Sequence, residues 1–198
     1  MGTPLGDVIA AVGSGTHRGR SVKAVFSGVA NAVITADHLG AAVSYEGMAA
    51  IGSGLGSAGF IVHDDTACMV GVAAEYSRFL SIESCGQCPP CKIGSTEITG
   101  CLQRIEAGAG EDRDIQRIAG WLERVTDASR CYLPTEERIM VASILRAFPD
   151  EFAQHLEDHR CPRPRDQRIA KLVDLADGRA TYDETYRRKL PDWTYEAD

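Results

Sequence analysis

Residues 83–94 read Glu-Ser-Cys-Gly-Gln-Cys-Pro-Pro-Cys-Lys-Ile-Gly, and their three cysteines, Cys85, Cys88 and Cys91, are spaced C-x-x-C-x-x-C. Thiols this close along a chain are seldom packing residues, and a short loop can aim all three at one metal centre. A fourth cysteine, Cys131, lies on a later predicted loop. An iron–sulfur cube is held by four thiolates in this manner, although the usual ferredoxin run places its last cysteine only a few residues further on. The spacing therefore predicts one 4Fe–4S cluster held by these four residues.

A structural zinc site is the alternative interpretation of the same cysteines. Zinc also accepts four cysteines, but it usually takes them as two C-x2-4-C pairs, whereas this chain has a run of three and one distant residue. A set of disulfides is less favoured, because nothing in the sequence indicates an oxidising compartment. Lys92 and Arg130 flank predicted ligand positions, where they would offset the negative charge of a thiolate-ligated cluster.

The composition is that of an ordinary globular protein. The chain has 198 residues, 44% of them hydrophobic and 25% charged, which allows one medium domain or two small ones. The net charge of −7 argues against nucleic acid or an anionic membrane as the main partner. No apolar run is long enough to span a bilayer and no signal peptide is recognisable, so we predict no membrane insertion and a cytoplasmic location.

Three cysteines remain outside the predicted ligand set, and two of the five histidines have a spacing that could bind a metal. Cys68, Cys101 and Cys161 are most simply small buried hydrophobes or inert surface thiols. His155 and His159 are four residues apart on a predicted helix, a spacing that can chelate a metal. Acidic residues lie between and beside them and nothing catalytic accompanies them, so we interpret this segment as a solvated helix end.

Residues 1–64 are predicted to form a small sheet with one packed helix. Apolar, β-branched runs indicate strands at residues 22–26, 32–35 and 60–63, and residues 5–12 indicate a short helix. Together with the helices that follow, this pattern places the chain in the α+β class.

A glycine-rich block at residues 52–59 invites comparison with a dinucleotide fingerprint. That fingerprint must follow a strand and open a helix, so that the helix N-terminus meets the pyrophosphate. Here the block leads into the predicted strand at residues 60–63. We therefore predict a loop or bulge between two elements and no nucleotide site.

Residues 65–160 show the 3.6-residue period of amphipathic helices. Asp65 or Thr66 is the predicted cap of a helix that ends at Phe79, and Gly94–Ser95 is the predicted cap of the next. The later apolar stripes extend the set to a bundle of four or five helices around two ligand loops. Such a bundle would keep a cluster buried and dry at one end.

Residues 161–198 change in character. Tyr182, Tyr186, Trp193 and Tyr195 are interleaved with charges, and the segment has too little apolar material for a separate core. We expect an extended tail that docks through its aromatic side chains onto this chain or a partner.

Three features together resemble the flavin- and NADH-binding F subunit of NADH–quinone oxidoreductase (respiratory complex I). They are the motif Glu-Ser-Cys-Gly-x-Cys-x-Pro-Cys at residues 83–91, the Gly-Ser-Gly-Leu-Gly-Ser block at 52–57, and a distant Cys131 followed by Leu133. The same module occurs in NAD-linked hydrogenases and formate dehydrogenases. The resemblance implies a soluble-ligand-binding β-grasp domain before a helical 4Fe–4S domain, and it implies the four cysteines as ligands.

The departures from the family bear on function. The family's N-terminal α/β domain, which binds FMN and NADH, has no counterpart here, so we expect no FMN or NAD site on this chain. The family usually has Arg-Glu-Gly after the third cysteine, whereas this chain has Lys92-Ile93-Gly94.

The resulting hypothesis is an iron–sulfur electron-transfer subunit. It would relay single electrons from a flavin on an NADH-oxidising partner to another iron–sulfur subunit, and it would not oxidise NADH alone. One alternative is a non-redox binding or scaffold module whose metal only stabilises the bundle. Another is a truncated F subunit without its FMN/NADH domain.

Overall fold

The computed structural model describes residues 2–163, 169 and 171–187. Within these residues the chain forms seven α-helices, three short 3-10 turns, a three-stranded sheet and a two-stranded sheet. The elements in chain order are α1 (Leu5–Gly13), β1 (Val22–Ser27), β2 (Ile34–Thr35), α2 (Tyr45–Ala50), β3 (Phe60–Asp64), α3 (Met69–Glu83), α4 (Pro89–Glu106), α5 (Asp112–Arg124), α6 (Leu133–Ala147), α7 (Pro149–Asp158), β4 (Leu172–Ala176) and β5 (Arg179–Tyr182). The predicted α+β class is confirmed.

The N-terminal sheet is antiparallel, with strand order β2-β1-β3. Val25 in the central strand pairs with Ile34 on one side and Val62 on the other. The glycine-rich block at 52–59 forms the turns before β3, as the sequence predicted. Helix α2 was not predicted. It begins after Ser44, whose hydroxyl accepts the backbone N–H of Gly47 at 3.0 Å.

Strand β1 is buried on both faces, so it is shared by two hydrophobic cores. Ala24 and Phe26 belong to the large core of the helical bundle. Val25 faces the other way into a smaller core with Leu5 and Met48. Alternate residues of a strand point to opposite faces of the sheet. The sheet and the bundle are therefore packed against each other through β1.

Helix α3 begins later than the sequence predicted. The carboxylate of Asp64 accepts the backbone N–H of Thr66 at 2.9 Å, which forms a turn rather than a helix cap. Cys68 occupies the N-cap position, and its sulfur accepts the backbone N–H of Gly71. The helix continues past the predicted end at Phe79 as far as Glu83.

Helix α4 begins earlier than predicted, at Pro89 rather than after Gly94. Proline suits the first turn of a helix because its missing N–H would have no intrahelical acceptor there. Gly94 lies inside the helix for a packing reason: a Cβ at this position would lie 3.0 Å from Val125 and 3.1 Å from Trp121 of α5. The prediction of a helix cap at Gly94 was wrong, because this glycine lets α4 pack closely against α5.

A charged junction connects the sheet, α3 and α7. Lys23 of β1 forms a salt bridge with Glu151 of α7 and donates a hydrogen bond to the carbonyl of Ala67 at 2.6 Å. The other carboxylate oxygen of Glu151 accepts the backbone N–H of Met69 at 2.9 Å, at the first residue of α3. One carboxylate thus holds three elements together.

The described part of the C-terminal segment is a hairpin followed by a 3-10 turn, which corrects the expectation of an extended tail. Asp177 and Gly178 between β4 and β5 have φ angles of 51° and 73°, as a two-residue hairpin turn requires. Tyr186 lies against Phe79 of α3 with ring centroids 6.4 Å apart, and its hydroxyl donates to Glu83 at 2.5 Å. Trp193 and Tyr195 lie outside the described residues.

Candidate metal centre

The four predicted ligands lie on two loops at one end of the bundle. Cys85 is on the loop between α3 and α4, Cys88 is the N-cap of α4, and Cys91 is in the first turn of that helix. Cys131 is on the loop between α5 and α6. We call these residues the four-cysteine group. Cys88 and Cys91 are buried, whereas Cys85 and Cys131 are exposed.

The structure brings all four residues of the group together. Burial raises the pKa of the Cys91 thiol, and the neighbouring thiols of Cys131, Cys88 and Cys85 raise it further, while the hydroxyl of Ser84 lowers it. A thiol affects the pKa of another in this way only when the two lie near each other. Two loops that are well separated in sequence therefore bring their cysteines to the neighbourhood of Cys91.

Polar contacts fix the two loops relative to each other. Arg130, next to Cys131, donates to the side-chain oxygen of Gln87 at 3.2 Å. The hydroxyl of Ser84 lies 3.5 Å from the sulfur of Cys91 and accepts the backbone N–H of Gly86 at 3.4 Å. Gly86 has a φ of 75°, a conformation that favours glycine.

Four cysteines can hold either an iron–sulfur cube or a single zinc ion. A tetrahedral zinc ion with Zn–S bonds of about 2.3 Å would bring its sulfurs to roughly 3.8 Å apart. A cube would keep its thiolates further apart, because each binds a different corner iron.

The open face of the four-cysteine group corrects the expectation of a dry, buried site. Cys85 and Cys131 are exposed, and the apolar side chains of Tyr132 and Ile93 nearby are 60% and 49% exposed. The helices place the loops at the end of the bundle rather than within it. The centre therefore lies at the surface of this chain.

The surroundings of Cys101 differ from those of the four-cysteine group. It is fully buried within α4, and its sulfur accepts a hydrogen bond from Arg104 at 3.1 Å. Burial raises the pKa of its thiol, and the other groups acting on it are Arg104 and Asp114. This agrees with the sequence interpretation of Cys101 as a small buried residue.

A second group of potential ligands was missed by the sequence analysis. We call Cys68, His155 and Cys161 the Cys–His–Cys group. His155 is 1% exposed, so its interpretation as part of a solvated helix end was wrong. Its Nε2 lies 3.3 Å from the sulfur of Cys68, whereas His159 is exposed beyond the end of α7. His155 and Cys161 are close along the chain, but Cys68 is 87 residues before His155, so no local pattern in the sequence indicates that the three residues meet.

A buried carboxyl group lies inside the bundle on α6, the helix that follows Cys131. Glu137 of α6 is fully buried and accepts a hydrogen bond from Ser77 at 2.5 Å, and Ser77 also contacts Thr99 at 2.8 Å. Burial raises the pKa of Glu137 to about 8, against the opposing effect of the Ser77 hydroxyl. This carboxyl group is therefore largely protonated at neutral pH.

Comparison with known proteins defines the class of this centre. Residues 71–155 match the family model described as the NADH-ubiquinone oxidoreductase-F iron-sulfur binding region. These residues contain the whole four-cysteine group, so the candidate metal centre lies within an iron–sulfur binding region of that family. The predicted resemblance to the F subunit is confirmed.

Across the described residues, no helix is long and apolar enough to cross a membrane.

Individual relatives are subunits of NAD(P)-linked oxidoreductases. The chain is 35% identical over 163 residues to the HndC subunit of the NADP-reducing hydrogenase of Solidesulfovibrio fructosivorans, covering 82% of this chain and 33% of the relative. It is 36% identical to the second F subunit of the NADH-quinone oxidoreductase of Rhizobium meliloti, covering 82% of this chain and 39% of that protein. The chain thus spans little more than a third of the length of these relatives.

A solved structure shares the fold over most of the chain. The crystal structure of an NAD+-reducing [NiFe]-hydrogenase in its H2-reduced state matches with a TM-score of 0.67 at 26% identity. The match covers 83% of this chain and 27% of the hydrogenase chain. The sheet and bundle therefore form an arrangement that also occurs within a larger redox protein.

Proposed function

We propose that this chain is an electron-transfer subunit that holds one 4Fe–4S cluster through Cys85, Cys88, Cys91 and Cys131. The observation that supports it most directly is the convergence of these four thiols from two loops, within residues that match an iron–sulfur binding region. A 4Fe–4S cluster would supply one-electron transfer without proton chemistry by the protein. A run of three cysteines with one distant residue disfavours a single zinc ion, which usually takes its cysteines as two C-x2-4-C pairs.

The residues around the group have defined parts in this proposal. Ser84 and the amide groups of the Cys85 loop would hydrogen-bond to sulfur, which is one way in which proteins set a cluster's potential. Arg130 and Lys92 would offset the negative charge of the ligated thiolates. The exposed edge at Cys85 and Cys131 gives a partner protein direct access to the centre.

The proposed partners and remaining cofactors are those that the resemblance to the F subunit implies. Those relatives are subunits of NADH–quinone oxidoreductases and of a hydrogenase, and this chain spans about a third of their length. We infer that a flavin-containing NADH-oxidising protein donates the electrons and that another iron–sulfur subunit accepts them. FMN and NAD would then bind outside this chain, which would work in the cytoplasm.

The domain assignment belongs to the same proposal. Residues 1–64 would be a soluble-ligand-binding β-grasp domain, residues 65–160 the cluster domain and residues 161–198 a tail that docks onto it. The packing of Phe26 into the bundle and the contact of Tyr186 with Phe79 support a close association of the three parts.

The first test is metal analysis of the chain purified under anaerobic conditions. We expect about four irons and four sulfides per chain and a reduced-cubane EPR signal after dithionite treatment. A protein that stays free of iron even after cluster reconstitution would overturn the proposal and favour a scaffold whose metal has only a structural part.

The second test concerns the proposed placement of the flavin on a partner protein. The purified chain, freed of contaminating flavoprotein, should not reduce an artificial acceptor with NADH, whereas dithionite should reduce its cluster. NADH-dependent reduction that persists in flavin-free protein would contradict the placement of the nucleotide chemistry on a partner.

A further inference from the structure

The Cys–His–Cys group gathers three soft ligand atoms that the electron-transfer function does not use. Cys68 is the N-cap of α3, His155 lies in α7, and Cys161 follows the end of that helix. The two sulfurs and a ring nitrogen lie within 4.8 Å of one another. Cys68 and His155 are each 1% exposed, and Cys161 is half-buried.

The surroundings of His155 orient it as a metal ligand. Its Nδ1 lies 2.7 Å from the carbonyl oxygen of Glu151, one turn earlier in α7. A carbonyl can only accept, so Nδ1 donates this hydrogen bond, and Nε2 is the ring nitrogen that faces the sulfur of Cys68, 3.3 Å away. Ligating histidines in proteins almost always have such a second contact, which fixes the tautomer and the ring orientation.

Cys68 is held in place by the start of α3. Its sulfur accepts the backbone N–H of Gly71 at 3.4 Å, at the N-terminus of that helix. Both Cys68 and His155 are therefore positioned by elements that are already folded.

A simple hydrogen bond accounts for only part of this arrangement. A Cys–His pair would explain Cys68 and His155, but it does not account for Cys161, which follows α7 and places a third donor atom at the same point. A tetrahedral zinc ion, with bonds of about 2.3 Å to sulfur and 2.0 Å to nitrogen, brings a sulfur and a nitrogen ligand to roughly 3.5 Å apart. The separation of 3.3 Å between Cys68 and His155 is close to that value.

We propose that Cys68, His155 and Cys161 form a second metal site that binds one Zn2+, separate from the four-cysteine group. Thiolate and imidazole ligands without carboxylate oxygens favour zinc over magnesium or calcium. Two thiolates and a neutral imidazole balance the charge of the ion, which suits a largely buried position. Three protein ligands leave one position of the tetrahedron for water.

The site would join three parts of the chain. It lies beside the junction of Lys23, Glu151 and Met69, where the sheet meets α3 and α7. Through Cys161, the ion would also hold the start of the C-terminal segment against the N-terminus of α3. The ion would therefore stabilise the contact between these parts of the chain.

The test is zinc and iron analysis of the full chain purified anaerobically in the presence of a thiol reductant. We expect one zinc per chain in addition to any iron. Cys161→Ser should lose the zinc, because one ligand is removed at the half-buried edge of the site, while its iron content and EPR signal match those of the parent chain. His159→Ala, which changes an exposed histidine of the same helix end, should retain both metals.

Cobalt gives an independent readout on the parent chain. Co2+ added to zinc-depleted protein should produce a thiolate-to-cobalt charge-transfer band, and the band should be weaker or absent in Cys161→Ser but unchanged in His159→Ala. The proposal is overturned if the parent chain binds neither zinc nor cobalt, or if Cys161→Ser binds them as well as the parent chain does. It is also overturned if mass spectrometry finds a Cys68–Cys161 disulfide in the chain purified with a thiol reductant. Zinc that depends on Cys161 in a chain without iron would support this site while refuting electron transfer.

Discussion

The two groups of potential metal ligands differ in their exposure and in the size of their local part. In the four-cysteine group, three members lie within seven residues of one another, Cys131 comes from a later loop, and two of the four cysteines are exposed. In the Cys–His–Cys group, only His155 and Cys161 are close along the chain, Cys68 comes from the start of α3, and two of the three residues are buried. Each group thus combines a local part with one distant residue, at an exposed edge in the first case and in a largely buried place in the second.

The difference teaches what each kind of group depends on. A loop with C-x-x-C-x-x-C carries most of its ligand set within itself, so the bundle only has to supply Cys131. The Cys–His–Cys group exists only after α3 and α7 have packed against each other. The first group should therefore be sensitive to its own ligands, and the second should be protected by the surrounding fold.

The largest expected effect is that of Cys131→Ala. This change should abolish the cluster and lower the thermal stability of the bundle, because metal binding contributes directly to folding free energy. Iron analysis, EPR and thermal unfolding measure the result. Cys101→Ala, a change at a buried cysteine outside both groups, should keep about four irons; loss of iron in this variant alone would reverse the ligand assignment.

Alkylation rates in cluster-free protein sharpen the contrast in exposure. Cys85 and Cys131 are exposed, so they should react with iodoacetamide about 100-fold faster than Cys68, which must wait for local opening of the fold. Mass spectrometry of the alkylated peptides over time gives the rates. Equal rates at Cys68 and Cys131 would mean that the Cys–His–Cys group is not held in a packed interior.

The buried carboxyl group of Glu137 predicts a pH dependence of the bundle. Its pKa is about 8 in the folded chain against an ordinary value of 4.5, so from pH 4.5 to 8 the folded state retains a proton that the unfolded state releases. The free energy of unfolding should therefore fall as pH rises through this window and level off above it, by about 3 kcal/mol at most between pH 5 and 7.5.

Glu137→Gln is the variant that tests this dependence. The amide cannot ionise and can still accept the hydrogen bond of Ser77, so its unfolding free energy should change less with pH than that of the parent chain. Denaturant unfolding at several pH values measures the slope. An identical slope in both proteins would assign the pH dependence to other groups.

Gly94→Ala tests the packing behind Cys91 and is expected to have the smallest effect. The new Cβ would lie 3.0 Å from Val125, so the helices α4 and α5 must separate slightly, at a cost of about 1–3 kcal/mol. Gly100→Ala is the matched control in the same helix, where the nearest atom is the end of the Arg104 side chain at 3.6 Å. The control should be neutral or more stable by about 0.5–1 kcal/mol.

The sequence predicted the features that are encoded locally. The alternating runs located the strands, the 3.6-residue period located the bundle, and the cysteine spacing indicated the centre at Cys85, Cys88, Cys91 and Cys131. Each of these signals lies within a short window of residues. The Asp177–Gly178 pair was an equally local hairpin signal that the expectation of an extended tail did not use.

The features that escaped prediction depend on tertiary contacts. Gly94 resembled a helix cap because glycine at a helix end is common, and only the approach of Trp121 and Val125 shows its packing role. His155 resembled a solvated residue because its burial comes from packing against α3, which the sequence does not show. No local pattern distinguishes such residues from others of the same type, because their partners are distant in sequence.

The burial of β1 on both faces has a consequence for how this protein can be divided or recombined. A chain cut between residues 64 and 65 would remove Ala24 and Phe26 from the core of the bundle and would leave Glu151 without its salt bridge to Lys23. The helical part is therefore not a freely transferable module. During evolution, sheet and bundle would have to be inherited as a pair, and a protein engineer who grafts the cluster into another host should move both together.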